Sequence, residues 1–196
     1  YLSQALCTFA MAGFLKKQAP KLKVILGGGL VTSWMSRPDW KNPFEGLVDL
    51  MVSGPGEEAL LSFAGVSGSH EHAVPDYGDF PCMNYFAPGF ILPYSASSGC
   101  YWGKCSFCPE NAEGNTFRPV QVQEVARDLR VLSERRKPVL VHFLDNALSP
   151  ALLKTLSKQS PGAPWYGFAR IIKDLEDPDF CEALKRSGCR MLKLGL

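Results

Sequence analysis

Long hydrophobic runs and a dominant charge of one sign are both missing from this sequence. No stretch of about 18 uncharged apolar residues occurs, so no membrane-spanning helix is predicted. The formal net charge is +2, and no long basic run is present, which argues against a dedicated nucleic-acid binder. Hydrophobic residues nevertheless make up 46% of the chain. This content predicts a globular protein with one large or two small cores.

Polar, poorly ordered ends are missing as well. The chain opens at Tyr1 without a methionine, inside a helical pattern, and closes on the strand-like run 189–196. Natural termini usually carry a few disordered polar residues. We therefore expect the sequence to be a fragment of a longer protein, in which case any targeting signal would lie outside it.

The even spread of cysteines that marks a disulfide-rich secreted domain is also absent. The chain has seven cysteines, an odd number, and Cys100, Cys105 and Cys108 are crowded together. Secreted disulfide frameworks are shorter and more evenly spaced. The pattern instead predicts a reducing, cytoplasmic setting and one metal site.

Short apolar segments alternate with helical patterns in the first part of the chain. We expect a helix over 1–18, strands at 23–26 and 48–52, and a helix beginning at Glu57. This alternation is typical of an α/β fold with a parallel sheet. Residues 66–90 are rich in proline and glycine and predict a linker. The predicted domains are therefore 1–65 and 91–196.

The second domain repeats the alternation more clearly. Its strands are predicted at 91–95, 139–144, 165–168 and 190–196. Ser149-Pro150 and Asp177-Pro178 open helices, and Gly188 closes the last one. A complete eight-stranded barrel takes about 250 residues, so we expect this domain to form half of a barrel. Its last strand would leave an open edge, which we expect to be paired with another chain or frayed.

The cysteine spacing C-x4-C-x2-C suits one metal centre, because soft thiolates on one loop bind iron–sulfur clusters, zinc or copper(I). Structural zinc and ferredoxin-type clusters both take four protein ligands. Three thiolates without a nearby fourth predict a cluster with one iron open to a cofactor. Two alternatives remain: a non-catalytic zinc module with His142 as fourth ligand, and an iron–sulfur electron carrier.

The loop resembles that of the radical S-adenosylmethionine (SAM) superfamily, in which an aromatic residue precedes the last of three close cysteines. Phe107 takes that place, although the first spacing is four residues where the family has three. Further stretches, in order, resemble the cobalamin-associated branch over residues 91–196. They are Phe117-Arg-Pro, Glu124-Val-Ala-Arg-Asp128, His142-Phe-Leu-Asp-Asn146, Gly167-Phe-Ala-Arg170, Lys185-Arg-Ser-Gly-Cys189 and Leu192-Lys-Leu-Gly195.

This resemblance implies a [4Fe–4S] cluster on Cys100, Cys105 and Cys108 that reductively cleaves SAM to a 5′-deoxyadenosyl radical. It further implies that four residues bind SAM. Phe107 would lie near the adenine, Asp145 and Asn146 near the methionine amino group, and Arg170 near the carboxylate or ribose. The alternatives are an Asx turn for Asp145 and Asn146 and a surface charge for Arg170.

The first 65 residues resemble the C-terminal half of a cobalamin-binding α/β domain. The resemblance rests on glycines after a strand and a Gly-x-Gly-Glu stretch, and it implies cobalamin contacts at Gly27, Gly28, Gly29, Gly56 and Glu57. The intact protein would then bind cobalamin and methylate or rearrange an unactivated carbon of an unknown substrate. An electron donor such as a flavodoxin or ferredoxin is implied as a partner.

Overall fold

Parallel pairing joins most strands of the chain, which the computed structural model describes over residues 2–66, 72–80 and 85–195. Helices alternate with these strands, so the predicted mixed α/β class with a parallel sheet is confirmed. The chain forms two units, one from 1–70 with 105–115 and the other from 71–104 with 116–196. The finer assignment to half a cobalamin domain and half a barrel stays a prediction. None of the helices in the described ranges is long and apolar enough to cross a membrane.

The first unit pairs two short parallel strands and adds four helices. Its elements are α1 (Leu2–Gln18), β1 (Ile25–Leu26), α2 (Gly29–Met35), β2 (Leu50–Met51), α3 (Glu57–Phe63) and α4 (Pro109–Ala112). Ile25 lies opposite Leu50, and Leu26 lies opposite Met51. The sequence predicts strands at 23–26 and 48–52. The observed ladder has two residue pairs, so both strands are shorter than predicted.

The carboxylate of Asp49 links α1 to the chain just before β1. It accepts a hydrogen bond of 2.5 Å from Lys16 Nζ of α1 and one of 2.7 Å from the Val24 backbone N–H. The Lys16 hydrogen bond, helped by that of Val24, holds the pKa of Asp49 well below its ordinary value. The rings of Phe9 and Phe44 stack at 4.0 Å nearby in the same unit.

The second unit is built on a four-stranded parallel sheet. Its elements are β3 (Ile91–Tyr94), β4 (Ser97–Ser98), β5 (Arg118–Pro119), α5 (Val122–Arg136), β6 (Leu140–Phe143), α6 (Pro150–Lys158), β7 (Trp165–Arg170), α7 (Pro178–Arg186) and β8 (Cys189–Gly195). The sheet order β3-β6-β7-β8 is also the order along the chain. The short strands β4 and β5 pair antiparallel beside it.

The two faces of this sheet differ sharply. The covered face carries fully buried side chains such as Phe143 and Trp165, which meet edge to face and pack with the apolar stripes of α5 and α6. The open face carries the alternate residues His142, Tyr166 and Phe168, which are partly or well exposed. Successive strands are neighbours in chain order, so right-handed crossovers bring the helices to one side.

The predicted helix boundaries of this unit are confirmed. Ser149 Oγ accepts a hydrogen bond from the Leu152 N–H at 3.2 Å. Asp177 Oδ1 accepts one from the Asp179 N–H at 2.9 Å. Gly188, with φ near +103°, follows α7 in a conformation that favours glycine.

The last strand, β8, pairs with β7 from Cys189 to Gly195, with one register shift between Trp165 and Tyr166. The fraying that we expected as one alternative is therefore not seen in this strand. Pairing of its other edge with a second chain stays a prediction.

Part of the predicted linker packs onto the second unit. His72 Nε2 lies 2.5 Å from Oδ2 of the fully buried Asp128 on α5. The Tyr77 hydroxyl donates to the Pro93 carbonyl, and Arg136 donates to the Tyr77 carbonyl at 2.9 Å. The sequence suggested a solvated, incidental His70/His72 pair, whereas His72 has a buried acidic partner. His70 lies outside the described residues.

Replacing Phe143 with alanine tests the two-faced sheet. We expect F143A to lower the free energy of unfolding by about 3–5 kcal/mol, because a fully buried aromatic ring is lost. F168A, on the same sheet but the open face, is the matched control and should cost about 1 kcal/mol or less. Urea unfolding of both variants measures the difference. Equal losses would contradict the assignment of the faces.

Candidate functional site

The approach to the cysteine loop (residues 99–108) begins at the carboxyl end of β3. In parallel α/β sheets this edge is where ligand sites gather. From Tyr94 the chain passes through β4 and reaches Cys100. The polar residues after β6 and the end of β7 lie at the same edge, because the strands are parallel.

Asp145, directly after β6, fixes the chain between β3 and Cys100. Its carboxylate accepts hydrogen bonds from the Ala96 N–H at 3.0 Å and from Ser97 Oγ at 2.5 Å. The side chain is almost completely enclosed, with the residue 3% exposed. Burial raises the pKa of Asp145, and the hydrogen bonds of Ser97 and Ala96 oppose that rise. A buried carboxylate is tolerated here because donors surround it.

Asn146 contacts the backbone immediately before Cys100. Its Nδ2 lies 3.4 Å from the Gly99 carbonyl, to which it donates a long hydrogen bond. Gly99 has φ near +69°, and a Cβ there would lie 2.7 Å from the Thr116 carbonyl oxygen. Glycine is therefore required immediately before Cys100, both for its backbone conformation and for the space.

Trp102, between the first two cysteines, is held by cations. The guanidinium of Arg170 at the end of β7 lies 4.2 Å from the centre of the Trp102 ring. Lys104 Nζ lies 5.1 Å from the same centre. Neighbouring Tyr101 meets Phe117 edge to face at 6.2 Å. Burial raises the pKa of Tyr101, and the charge of Arg170 opposes that rise.

A cavity of about 510 Å³ lies beside this approach, within the second unit. It is lined by residues in and beside β4 and β5, by the first turns of α5 and α6, and by Tyr101, Phe117 and Asp145. Its size is that of a small-molecule site. Sequence reasoning missed the cavity, although the Phe117-Arg-Pro stretch marks one of its walls.

The three cysteines are free thiols of intermediate exposure. Cys100 belongs to the second unit, and Cys105 and Cys108 belong to the first. The Cys108 N–H donates to the Cys105 carbonyl at 3.2 Å, so these two lie on one turn. Three soft thiolates suit an iron–sulfur cluster by their chemistry. Within the described ranges, however, no group of three metal-ligating side chains converges.

Three of the four predicted SAM-binding residues, Asp145, Asn146 and Arg170, contact the chain that leads into or forms the cysteine loop. Asp145 does so through a backbone N–H that is far away in sequence, which is not the local hydrogen bond of an Asx turn. Phe107, in the first unit, is 85% exposed. The contacts of all four residues with SAM stay predictions.

His142, the zinc ligand of the alternative hypothesis, lies on the open face of the sheet. Its ring stacks on Tyr166, with centroids 4.3 Å apart and planes at 11°. Partial burial and the positive charge of Lys193 both lower the pKa of His142. The imidazolium form of this stacked ring is therefore disfavoured.

The glycines predicted to contact cobalamin surround β1 and α3 in the first unit. Gly28, with φ near +100°, has open space at its Cβ position. At Gly29 a Cβ would lie 2.5 Å from the carboxylate of Glu113, which occupies that approach. Gly56 and Glu57 are exposed at the start of α3. Cobalamin contacts at these residues stay a prediction of the resemblance.

Replacing Asp145 with alanine tests its bracing role. D145A leaves the buried Ala96 N–H without its acceptor, so we expect a loss of about 1–3 kcal/mol in the free energy of unfolding. D145N keeps one acceptor oxygen and removes the buried charge, so it should cost less. Chemical unfolding of both variants checks this order. Equal costs would contradict the role.

Replacing Lys193 with glutamine should raise the pKa of His142. The cation disfavours the imidazolium ion, and its removal relieves that repulsion while burial remains. The imidazole resonances of His142, followed by NMR across a pH titration, measure the shift. An unchanged or lower pKa would show that Lys193 does not act on the ring.

Comparison with known proteins gives one distant similarity. No family model matches the chain. The chain is 31% identical over 115 residues to bacteriochlorophyllide d C-12(1)-methyltransferase from Chlorobaculum tepidum. The match covers 54% of this chain and 24% of that methyltransferase. The chain thus spans about a quarter of the curated relative that it matches.

Proposed function

We propose that this chain is part of an iron–sulfur enzyme that cleaves one molecule of SAM reductively, so that the resulting 5′-deoxyadenosyl radical takes a hydrogen atom from a carbon of an organic substrate, and that attaches to this carbon a methyl group supplied by a second molecule of SAM. The observation that carries the proposal is that residues of two neighbouring strands contact the chain on both sides of Cys100, the first of the three close cysteines. Asp145 and Asn146 after β6 hold the approach to Cys100, and Arg170 at the end of β7 contacts Trp102. The similarity to a methyltransferase supports the methyl-transfer part.

Cys100, Cys105 and Cys108 would hold the cluster, since their thiolates are the soft ligands that iron–sulfur clusters take. When bound, such a cluster supplies one electron to the SAM sulfonium, whose S–C5′ bond breaks to give methionine and a 5′-deoxyadenosyl radical. A donor of the flavodoxin or ferredoxin class would provide that electron. The chain itself binds and orients these groups.

Rigid placement of Cys100 is what the surrounding residues contribute. The Asp145 carboxylate fixes Ala96 and Ser97, and the left-handed backbone at Gly99 then sets the direction in which the loop leaves β4. Contacts with Arg170 and Phe117 hold the rings of Trp102 and Tyr101, the two residues that follow Cys100.

Anaerobic reconstitution of the longer protein that contains this chain, with iron and sulfide, tests the proposal, because we do not expect these 196 residues to be active alone. We expect the broad visible absorbance of an iron–sulfur cluster and, with reductant and SAM, formation of 5′-deoxyadenosine. Alanine at Cys100, Cys105 or Cys108 should abolish both signals. C181A, which removes an exposed thiol on α7, is the matched control and should retain them.

Two results would contradict the proposal. One is the absence of iron uptake, with zinc found instead by elemental analysis, which would favour the zinc module. The other is a redox-active cluster that yields no 5′-deoxyadenosine, which would favour an electron carrier.

A further inference from the structure

The open face of the four-stranded sheet carries a row of aromatic rings with one cation beside it. His142 on β6 lies opposite Tyr166 on β7, and Phe168 on β7 lies opposite Lys193 on β8. Alternation along β7 puts Tyr166 and Phe168 on the same side, away from the buried Trp165. The four side chains therefore share one face and run across three strands.

The members of this row contact one another. The rings of His142 and Tyr166 are parallel within 11° and 4.3 Å apart. Lys193 Nζ lies 5.1 Å from the Phe168 ring centre and 5.7 Å from that of Tyr166. Phe168 is 45% exposed. Flat apolar surface and one positive charge are thus presented side by side.

The charge of Lys193 is uncompensated in the part of the chain that the structure describes. No hydrogen bond or ion pair joins its ammonium to a residue in those ranges, and its contacts are with the two rings. Burial and Lys193 lower the pKa of the neighbouring His142, which disfavours a second positive charge in the row. The row therefore complements a ligand that combines a planar ring system with one negative group.

We propose that this open face binds the substrate of the enzyme and that the substrate is a planar conjugated molecule bearing a carboxylate. That the ligand is a substrate rests on the proposed function. That the face binds a planar carboxylate does not depend on that function. Lys193 pairs with the carboxylate, and Tyr166 and Phe168 contact the ring system.

The row also leads toward the cysteine loop. Arg170 follows Phe168 by two residues on the same face of β7, a rise of about 7 Å. Its guanidinium contacts Trp102 of the loop. A planar ligand that lies along the row therefore extends toward the residues that brace Cys100.

The test is a fluorescence titration of the 196-residue chain with 2-naphthoate, a planar carboxylate. The neutral alcohol 2-naphthalenemethanol has the same ring system and is the matched probe. We expect saturable binding of 2-naphthoate, and K193Q should weaken it about fivefold, as for a partly exposed ion pair. K193R should restore most of the affinity, and binding of the alcohol should be the same in all three proteins. F168A should weaken both probes.

Three results would overturn the proposal: no saturable binding of 2-naphthoate, an affinity that K193Q does not change, or displacement of the probe by SAM alone. The last result would assign Lys193 to the carboxylate of SAM rather than to a substrate. The titration needs neither iron nor SAM cleavage. A negative result here leaves the proposed function standing, and a failed cluster reconstitution leaves this binding result standing.

Discussion

The buried carboxylate of Asp145 is the constraint on which the candidate site depends. A charge that is almost completely enclosed is costly unless donors surround it. Here the donors are the Ala96 N–H and the Ser97 hydroxyl, which belong to the chain leaving the neighbouring strand. The end of β6 therefore dictates the path out of β3. Because that path leads within a few residues to Cys100, the electrostatics of one aspartate set the position of the first thiol.

The two faces of the four-stranded sheet differ in burial. The covered face is closed by large rings such as Phe143 and Trp165, packed edge to face at 5.7 Å. This packing makes the strands rigid, and rigid strands can hold a loop at a fixed position. The helices α5, α6 and α7 of this unit pack on the covered face, because sequential parallel strands with right-handed crossovers bring their helices to one side. Residues on the open face, including Tyr166 and Lys193, remain accessible for ligand contacts.

Local signals in the sequence predicted much of the fold of the second unit. Ser149, Asp177 and Gly188 each depend on neighbours within a few residues, so the local sequence is enough to predict the helix ends that they form. Alternating burial along β7 follows from the period of a strand. The pairing of His72 with Asp128 joins residues far apart in sequence. Its geometry depends on the path of the whole intervening chain, which no local pattern records. The predicted strands at 23–26 and 48–52 are longer than the observed β1 and β2 for a related reason. An apolar run does not reveal where strand pairing stops.

The residues at the loop also differ in what they can still do for a ligand. Both oxygens of Asp145 are committed to the protein, and the residue is 3% exposed, which favours a positioning role over a direct contact. Asn146 is exposed, and its hydrogen bond to Gly99 is long at 3.4 Å. Arg170 stacks the face of its guanidinium on Trp102, whereas guanidinium N–H groups donate in the plane of that group. An arginine can therefore brace a ring and donate hydrogen bonds at once. The geometry thus favours Asn146 and Arg170 as ligand-contacting residues, with Asp145 holding the backbone behind them.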